Sequence, residues 1–329
     1  MLVSVIVPNY NHDKYLKQRI DTILEQSYQN FEIIILDDCS TDNSRNIIEQ
    51  YRNHAKISKI IYNETNSGST FKQWNRGIGL AKGELIWIAE SDDFAAPDLL
   101  QDLTAEFAAD PELGIAYCQS NWVNEKNEVT GNWQFWTHDL DAALFKSRFK
   151  ITGKDYIAKF LIYRNTIPNA SGVLFQKKYY DTIGGADETV LKCSDWFTWI
   201  KILSLSNIAY IPQHLNNFRY HDNSVIAMAK RSTVEEYIGK YDMFMRTSLD
   251  KFLKSSFPGN KDFKIILKKN NELLLKEYIY EALFYFNNKS QIKGFGKIFK
   301  KSFSSVSNFS FVFKMLVNKS VTVIKSGNK

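Results

Sequence analysis

Residues 2–7 form an almost unbroken apolar run, Leu-Val-Ser-Val-Ile-Val, that stops at Pro8. Apolar residues return at helical spacing over 13–26, with Tyr15, Leu16, Ile20, Ile23 and Leu24 on one side. A second run covers 31–36, a polar-capped helix is expected over 41–51, and 59–63 reads as a third strand. Helical spacing predicts 70–81, closed by Gly83, before a fourth strand at 85–89, Leu-Ile-Trp-Ile-Ala. Apolar runs of this kind predict strands covered on both faces, as in a parallel sheet. Strands and helices that alternate through short connections predict a doubly wound α/β fold.

The rhythm then loosens. A helix over 98–109 leads to a strand over 114–119. The stretch 121–148 is polar and aromatic, with Trp122, Trp133, Phe135 and Trp136, and lacks a clear period, so a loop over a site is expected there. A strand at 171–176, a helix at 178–183, the turn Gly184-Gly185, a helix at 193–204 and a short strand at 208–211 follow. Beyond about residue 226 only helical patterns remain, over 233–253 and 263–286. The second places Leu267, Leu274, Tyr278 and Ala282 on one face.

Composition changes this picture in three places. The chain has 329 residues, which suits one large domain and an appendage. Cys39, Cys118 and Cys193 are three cysteines with no CxxC, which argues against a disulfide framework or a zinc site and for a reducing compartment. The start of the chain has no basic segment and predicts a first strand rather than a signal peptide, and no run of apolar residues is long enough to span a bilayer. The net charge of +6 is uneven: from Asn287 onward there are nine lysines and no Asp, Glu or Arg, leaving 33 basic against 36 acidic residues in the rest. Such asymmetry points the tail toward an anionic surface.

The chemistry gathers at predicted strand ends. Ligands of open α/β sheets bind beyond the carboxyl ends of the strands. Pro8-Asn9-Tyr10-Asn11 follows the first strand, Asp37 to Asp42 the second, and Glu90-Ser91-Asp92-Asp93 the fourth, so these three loops leave neighbouring strands at one edge. Glu90, Asp92 and Asp93 repel one another unless something positive neutralises them, and a hard divalent cation carrying a phosphorylated ligand would do so. A further cluster, Ser194-Asp195-Trp196, sits at a helix start.

With these segments in order, the chain resembles a family 2 glycosyltransferase of the GT-A fold. The resemblance rests on residues 5–11, 35–42, 66–68, 74–78, 83–88, 90–93, 183–185, 194–196 and 218–221 and covers roughly 1–224. It implies a mostly parallel, doubly wound GT-A sheet flanked by helices in residues 1–225, with 226–329 as a helical extension that ends in a basic amphipathic tail. It also implies an inverting, metal-dependent transfer of sugar from a nucleotide-diphosphate sugar to a hydroxyl of a glycan or lipid-linked acceptor. The implied context is cell-surface polysaccharide synthesis.

The resemblance assigns roles residue by residue. Pro8 and Tyr10 would line the base and ribose pocket, with Asp38 as a hydrogen-bond acceptor and Asp37 beside it. The alternative for Asp37 and Asp38 is N-capping of the next helix. Asp92 would bind Mg2+ or Mn2+. Glu90, which stands where the family has Asp, would reach ribose or water, and Asp93 would support the metal or touch the sugar. Asn75 matches the family's Asn, although the Arg usual before it is Trp74 here. His221 would ligate the cation as a neutral imidazole, or else be solvated. Arg219 would contact phosphate through its fork, or else pair with a core acid. Asp195 matches the general base, with Ser194 in place of the family's first acid; its alternative is a helix cap, and Asp187 and Glu188 stand in reserve. Asn169 to Gly172 would face the acceptor or simply enter a strand.

From Lys293 to Leu316, lysines alternate with Phe and other apolar residues, which suits an interfacial helix on an anionic leaflet as well as a helix packed on the body. A cytoplasmic protein, peripheral on the membrane where lipid-linked acceptors reside, is the expectation. No nucleic-acid module accompanies the lysines. Two other classes compete. A sugar-phosphate nucleotidyltransferase needs a glycine-rich loop near the first strand, and residues 9–13 contain no glycine. A non-catalytic glycan-binding or scaffold protein has no need of Asp92, Asp195 and His221 together.

Overall fold

A computed structural model describes residues 1–189, 193–221 and 240–287. The chain divides into two compact units, Met1–Arg231 and Ser232–Lys329.

The first unit begins with the expected alternation: β1 (Val3–Asn9), α1 (Asp13–Leu24), β2 (Phe31–Asp37), α2 (Ser44–Gln50), β3 (Ile57–Tyr62), α3 (Thr70–Leu80) and β4 (Leu85–Ile88). It continues with β5 (Phe94–Ala95), α4 (Leu99–Ala109), β6 (Leu113–Val123), β7 (Val129–Asn132), α5 (His138–Asp141), β8 (Phe149–Thr152) and α6 (Gly153–Tyr156). It closes with β9 (Val173–Gln176), α7 (Lys177–Thr182), α8 (Ser194–Leu203) and β10 (Asn207–Arg219). The sheet order is β3-β2-β1-β4-β9-β6-β10-β5, with β7 on β6 and β8 on β10. β1 pairs in parallel with β2 and β4, β2 with β3, and β6 with β10; the short strands β5, β7, β8 and β9 run antiparallel to their partners.

Every residue of β1, β2 and β4 is buried, as their apolar runs require. Val5, Leu16, Ile20, Ile33, Trp87, Leu99 and Leu103 join one core, which packs α1 and α4 onto the sheet. α3 lies close against the sheet because Gly77 has no side chain. A Cβ there would collide with Ile6 Cγ2 and come within 2.8 Å of Leu36 Cδ1. Strand order reverses around β1, between β2 and β4, which opens the crevice where ligands of such sheets bind.

Three segments depart from the expected boundaries. β6 runs on to Val123, four residues beyond the predicted strand end. Residues 121–148 are not one loop: they hold the β6–β7 hairpin, a 3-10 turn at Trp133–Trp136, and α5. β10 reaches Arg219 instead of ending at 211, and register shifts between Ile211 and Asn216 absorb Pro212 and the polar residues after it.

In the second unit, α9 (Lys240–Ser256) packs against α10 (Lys261–Asn287). Among the described residues, the buried positions are Met245, Arg246, Leu249 and Leu253 on α9, and Phe263, Ile266, Asn270 and Leu275 on α10. Leu267 and Leu274, placed on the apolar face from sequence, are half-buried. The start of the predicted 233–253 helix, the predicted boundary at 225 and 226, and the basic tail from Asn288 on lie outside the described residues.

Candidate active site

The loops after β1, β2 and β4 meet through hydrogen bonds. Asn9 Nδ2 donates to Asp37 Oδ1 (2.8 Å) and Ser40 Oγ (3.1 Å), and the Ser40 N–H donates to Asp37 Oδ2 (3.1 Å). Asn11, at φ +57°, receives the Thr41 N–H on its Oδ1 (2.7 Å). Asp37 therefore braces the β1 and β2 loops against each other. Asp38 Oδ1 accepts from Asn63 Nδ2 (2.6 Å), the Ser67 N–H (2.9 Å) and Gln73 Nε2 (3.0 Å), and Oδ2 accepts from Ser67 Oγ (2.7 Å). Neither acid caps α2. The N-cap residue is Asn43, and Asp42 before it accepts the Ser44 N–H (3.0 Å) at the start of the helix and the Asp13 N–H (2.8 Å). Pro8 is buried in β1 opposite Leu36, and Tyr10 is exposed at the rim.

Beyond β4, the peptide N–H of Glu90 donates to Ser171 Oγ (3.2 Å), while Glu90 Oε1 accepts from Trp74 Nε1 (2.9 Å). Burial, then the neighbouring Asp92 charge, pushes the Glu90 carboxyl up to about 8. Asp93 is buried, accepts from the Arg219 N–H (3.0 Å) and Asn169 Nδ2 (3.2 Å), and is pushed up to about 6 by burial and then by Asp92. Asp92 differs: burial pushes it up too, but the hydrogen bond from His221 and the charges of His12 and His221 outweigh this and leave it below the ordinary aspartate range. Of the three acids Asp92 alone is held below its ordinary range, while its charge adds to the rise of the other two, as expected when like charges crowd.

His221 is buried, and its Nε2 lies 3.1 Å from Asp92 Oδ2. His12 Nδ1 lies 2.8 Å from Ser91 Oγ, and the two imidazoles meet edge to face with centroids 5.5 Å apart. His12, Asp92 and His221 each offer one ligand atom, all within 4.8 Å of one another. That span is little more than two metal–ligand bonds of about 2.1 Å. Two imidazole nitrogens and an ionised carboxylate are donors that divalent cations take, so the residues fit such an ion.

Two arginines lie beneath the acids. Arg219 is buried; its Nε donates to the Asp92 carbonyl (2.8 Å), one terminal nitrogen to the Asn124 carbonyl (3.1 Å), and the other to Gln18 Oε1 (2.8 Å). Its whole fork is engaged with protein, so Arg219 braces the acid loop from within. Arg19, on α1, is fully buried over the Trp87 ring at 4.9 Å with no hydrogen-bond partner for its guanidinium. Burial lowers its pKa to about 10 against the opposing pull of Asp93, Asp92 and Glu90.

Asn75 connects α3 to the loop before α8. Its Nδ2 donates to the Ala186 carbonyl (3.0 Å) and Glu188 Oε1 (2.7 Å), while its Oδ1 accepts from Tyr180 Oη (2.6 Å) and the Ala186 N–H (3.0 Å). Gly185 permits this approach: it sits at φ +79°, and a Cβ there would fall 2.6 Å from Asn75 Oδ1. Asp187 accepts from the Thr189 N–H and hydroxyl within that loop.

Asp195 lies in the first turn of α8; the residue before the helix is Cys193, so Asp195 is not its cap. Asp195 Oδ2 accepts from Asn165 Nδ2 (2.9 Å). Burial raises its carboxyl above the usual range, although the Trp196 backbone and the Asn165 amide both act to lower it. One helical turn further on, Trp199 packs on Trp74, ring centroids 6.0 Å apart, and Trp74 holds Glu90. The helix of Asp195 is thereby fastened to the acid cluster. Asn169 to Gly172 also serves that cluster, through Asn169 on Asp93 and Ser171 on Glu90.

Sequence reading assigned no role to His12, Ser91, Arg19 or Asn165. His12 had a usable signal: it directly follows the first of the converging loops. The other three are ordinary polar residues until the fold brings them in.

The family profile described as Glycosyl transferase family 2 matches residues 4–170. The chain belongs to that family. It is 33% identical to the glycosyltransferase GlyG of Streptococcus pneumoniae serotype 4 over 174 residues, 52% of this chain and 50% of that one. It is 38% identical over 212 residues to TarS of Staphylococcus aureus strain Mu50, a poly(ribitol-phosphate) beta-N-acetylglucosaminyltransferase, covering 64% of this chain and 35% of that one. The chain thus spans about half the length of one curated relative and about a third of the other. Among solved structures, S. aureus TarS 1–349 in complex with UDP-GlcNAc aligns with a TM-score of 0.59 at 18% identity, covering 91% of this chain and 90% of that one. The mannosyltransferase PcManGT of Pyrobaculum calidifontis, in complex with GDP-Man and Mn2+, aligns with a TM-score of 0.54 at 17% identity over 94% and 83% of the chains. These likenesses fix the GT-A fold. Among the described residues, no helix is long and apolar enough to cross a membrane.

Proposed function

We propose that this protein transfers a sugar, with inversion, from a nucleotide-diphosphate sugar to an acceptor hydroxyl, and that residues 1–225 form the transfer domain. The observation that carries this reading is the meeting of His12, Asp92 and His221 at the sheet's switch point, on a scaffold fastened to the helix of Asp195. His12, Asp92 and His221 would hold a divalent cation; two imidazoles favour a first-row ion such as Mn2+ over Mg2+. When bound, that ion neutralises the charge of the departing diphosphate. Pro8, Tyr10 and the loop braced by Asp37 and Asp38 would flank the nucleoside, with Glu90 and Asp93 supporting Asp92.

Asp195 would accept the proton of the acceptor hydroxyl as its oxygen bonds to the anomeric carbon. The bond from that carbon to the diphosphate breaks on the opposite side, and the nucleoside diphosphate leaves. A carboxyl raised above the ordinary range is a better match to this task, since a general base works best when its pKa approaches the operating pH. The named activity of TarS supports a cell-surface glycan or polyol polymer as acceptor. The lysine-rich tail would hold the protein on the anionic inner face of the membrane, beside lipid-linked acceptors.

The test is a panel of UDP- and GDP-sugars, scored by nucleoside diphosphate release with and without Mn2+. One donor is expected to turn over only with the metal. Asp92→Ala should cost at least about 100-fold and Asp195→Ala about 100- to 10,000-fold in turnover. Full turnover in both variants would refute the site.

A further inference from the structure

Five aromatic rings form a continuous surface that the reading above leaves without a task. Trp122 on β6 meets Trp133 (5.1 Å between centroids) and Phe135 (5.0 Å); Trp133 and Phe135 lie nearly parallel at 6.0 Å; Phe135 meets Trp136 (5.9 Å), and Trp133 meets Phe218 (5.8 Å). Phe135 is 54% exposed and the other four are half-buried. A contiguous apolar patch of this kind marks a binding surface more often than an accident of folding.

Both ends of the patch are tied to the candidate site. Phe218 pairs with Trp122 across β10 and β6, and the next residue, Arg219, donates its N–H to Asp93. At the other end, Trp136 Nε1 donates to the Asn165 carbonyl (2.9 Å), and the Asn165 amide donates to Asp195. Arg164 locks the same turn: it stacks on Trp136 at 5.3 Å, donates to the Trp136 carbonyl and forms a two-pronged pair with Asp139. A molecule whose hydroxyl reaches Asp195 has this aromatic surface next to it.

We infer that the rings of Trp122, Trp133, Phe135, Trp136 and Phe218 are the platform on which a neutral sugar ring of the acceptor rests. The inference rests on the proposed role of Asp195. A pyranose has an apolar C–H face that suits an aromatic ring and a rim of hydroxyls that needs hydrogen-bond partners. The polar groups beside the rings are the uncharged amides of Asn132 and Gln134 at the 3-10 turn and the mutually neutralised pair of Arg164 and Asp139. Neutral amides suit hydroxyls better than phosphates. A lipid chain would bring those amides nothing further to bond, whereas sugar hydroxyls would.

The test uses the full-length protein and its tryptophan emission, because three of its seven tryptophans lie in the patch. The probes are the methyl β-glycosides of glucose, galactose and N-acetylglucosamine, with ribitol as a polyol lacking a ring. At least one glycoside is expected to change emission saturably at millimolar concentration, and ribitol is not. Phe135→Ala, at an exposed position, should weaken that binding about tenfold or more while UDP affinity stays within about twofold. The platform is refuted if protein that binds UDP responds to no glycoside, or if Phe135→Ala binds glycoside as the parent does. It is also refuted if the emission changes only on self-association or on added phosphatidylglycerol vesicles. Glycoside binding that depends on Phe135 in protein unable to bind any nucleotide would instead sink the proposed transfer reaction and leave the platform standing.

Discussion

At the residue scale the candidate site is a problem in charge. Three acids sit together after β4, and the protein answers with Arg19 and Arg219 beneath them and two imidazoles beside Asp92. The acids and His221 were legible in the sequence because they stand at strand ends, where polar runs follow apolar ones. Arg19 was not: a lone arginine on an amphipathic helix looks like a solvent-facing residue, and only the fold shows it buried over Trp87. Asn165 was illegible for the same reason, since its partner lies 30 positions away. Its amide stabilises the ionised form of Asp195. Asn165→Ala should therefore raise the pKa of that carboxyl further and move the acid limb of kcat/KM to higher pH, with the plateau at high pH less affected. A pH–rate profile checks this, and an unmoved acid limb would separate Asn165 from the base.

At the element scale, the helices and strands of the first 110 residues were readable from their apolar periods, apart from β5, whose two residues are too few to show one. β10 was not, because Pro212 lacks an N–H and the asparagines after it break the alternation. Register shifts carry the strand past them and deliver Arg219 to the acid loop. The aromatic stretch after β6 hid its structure in the same way: its order comes from ring packing and a single hairpin, with no sustained period to read. α3 gives a prediction with opposite signs at two nearby glycines. Gly77 touches Ile6 and Leu36, so Gly77→Ala overpacks the sheet and should cost about 1–3 kcal/mol. Gly79 has open space around it, so Gly79→Ala should gain about 0.5–1 kcal/mol from helix propensity. Urea unfolding midpoints of the two variants should fall on either side of the parent; a shift in the same direction would contradict the packing of α3.

At the scale of the whole molecule, the division of charge follows the division of the chain. The acidic body carries the proposed chemistry, and the lysines gather after Asn287. Removing residues 287–329 should weaken binding to vesicles containing phosphatidylglycerol, most clearly at low salt where the Debye length is long, and leave nucleotide binding intact. Cosedimentation that is equal with and without the tail would detach it from the membrane. The pairing faces of the last helices were poorly legible because their apolar residues are spread around the helix.

The most direct measurement is the equilibrium binding of UDP and GDP by calorimetry, with and without Mn2+, in the parent, Asp92→Ala and His12→Ala. One of the two diphosphates should bind at least about tenfold more tightly with the metal. Asp92→Ala should abolish that gain and His12→Ala should reduce it. Nucleotide affinity that is indifferent to Mn2+ and unchanged in both variants would contradict the account.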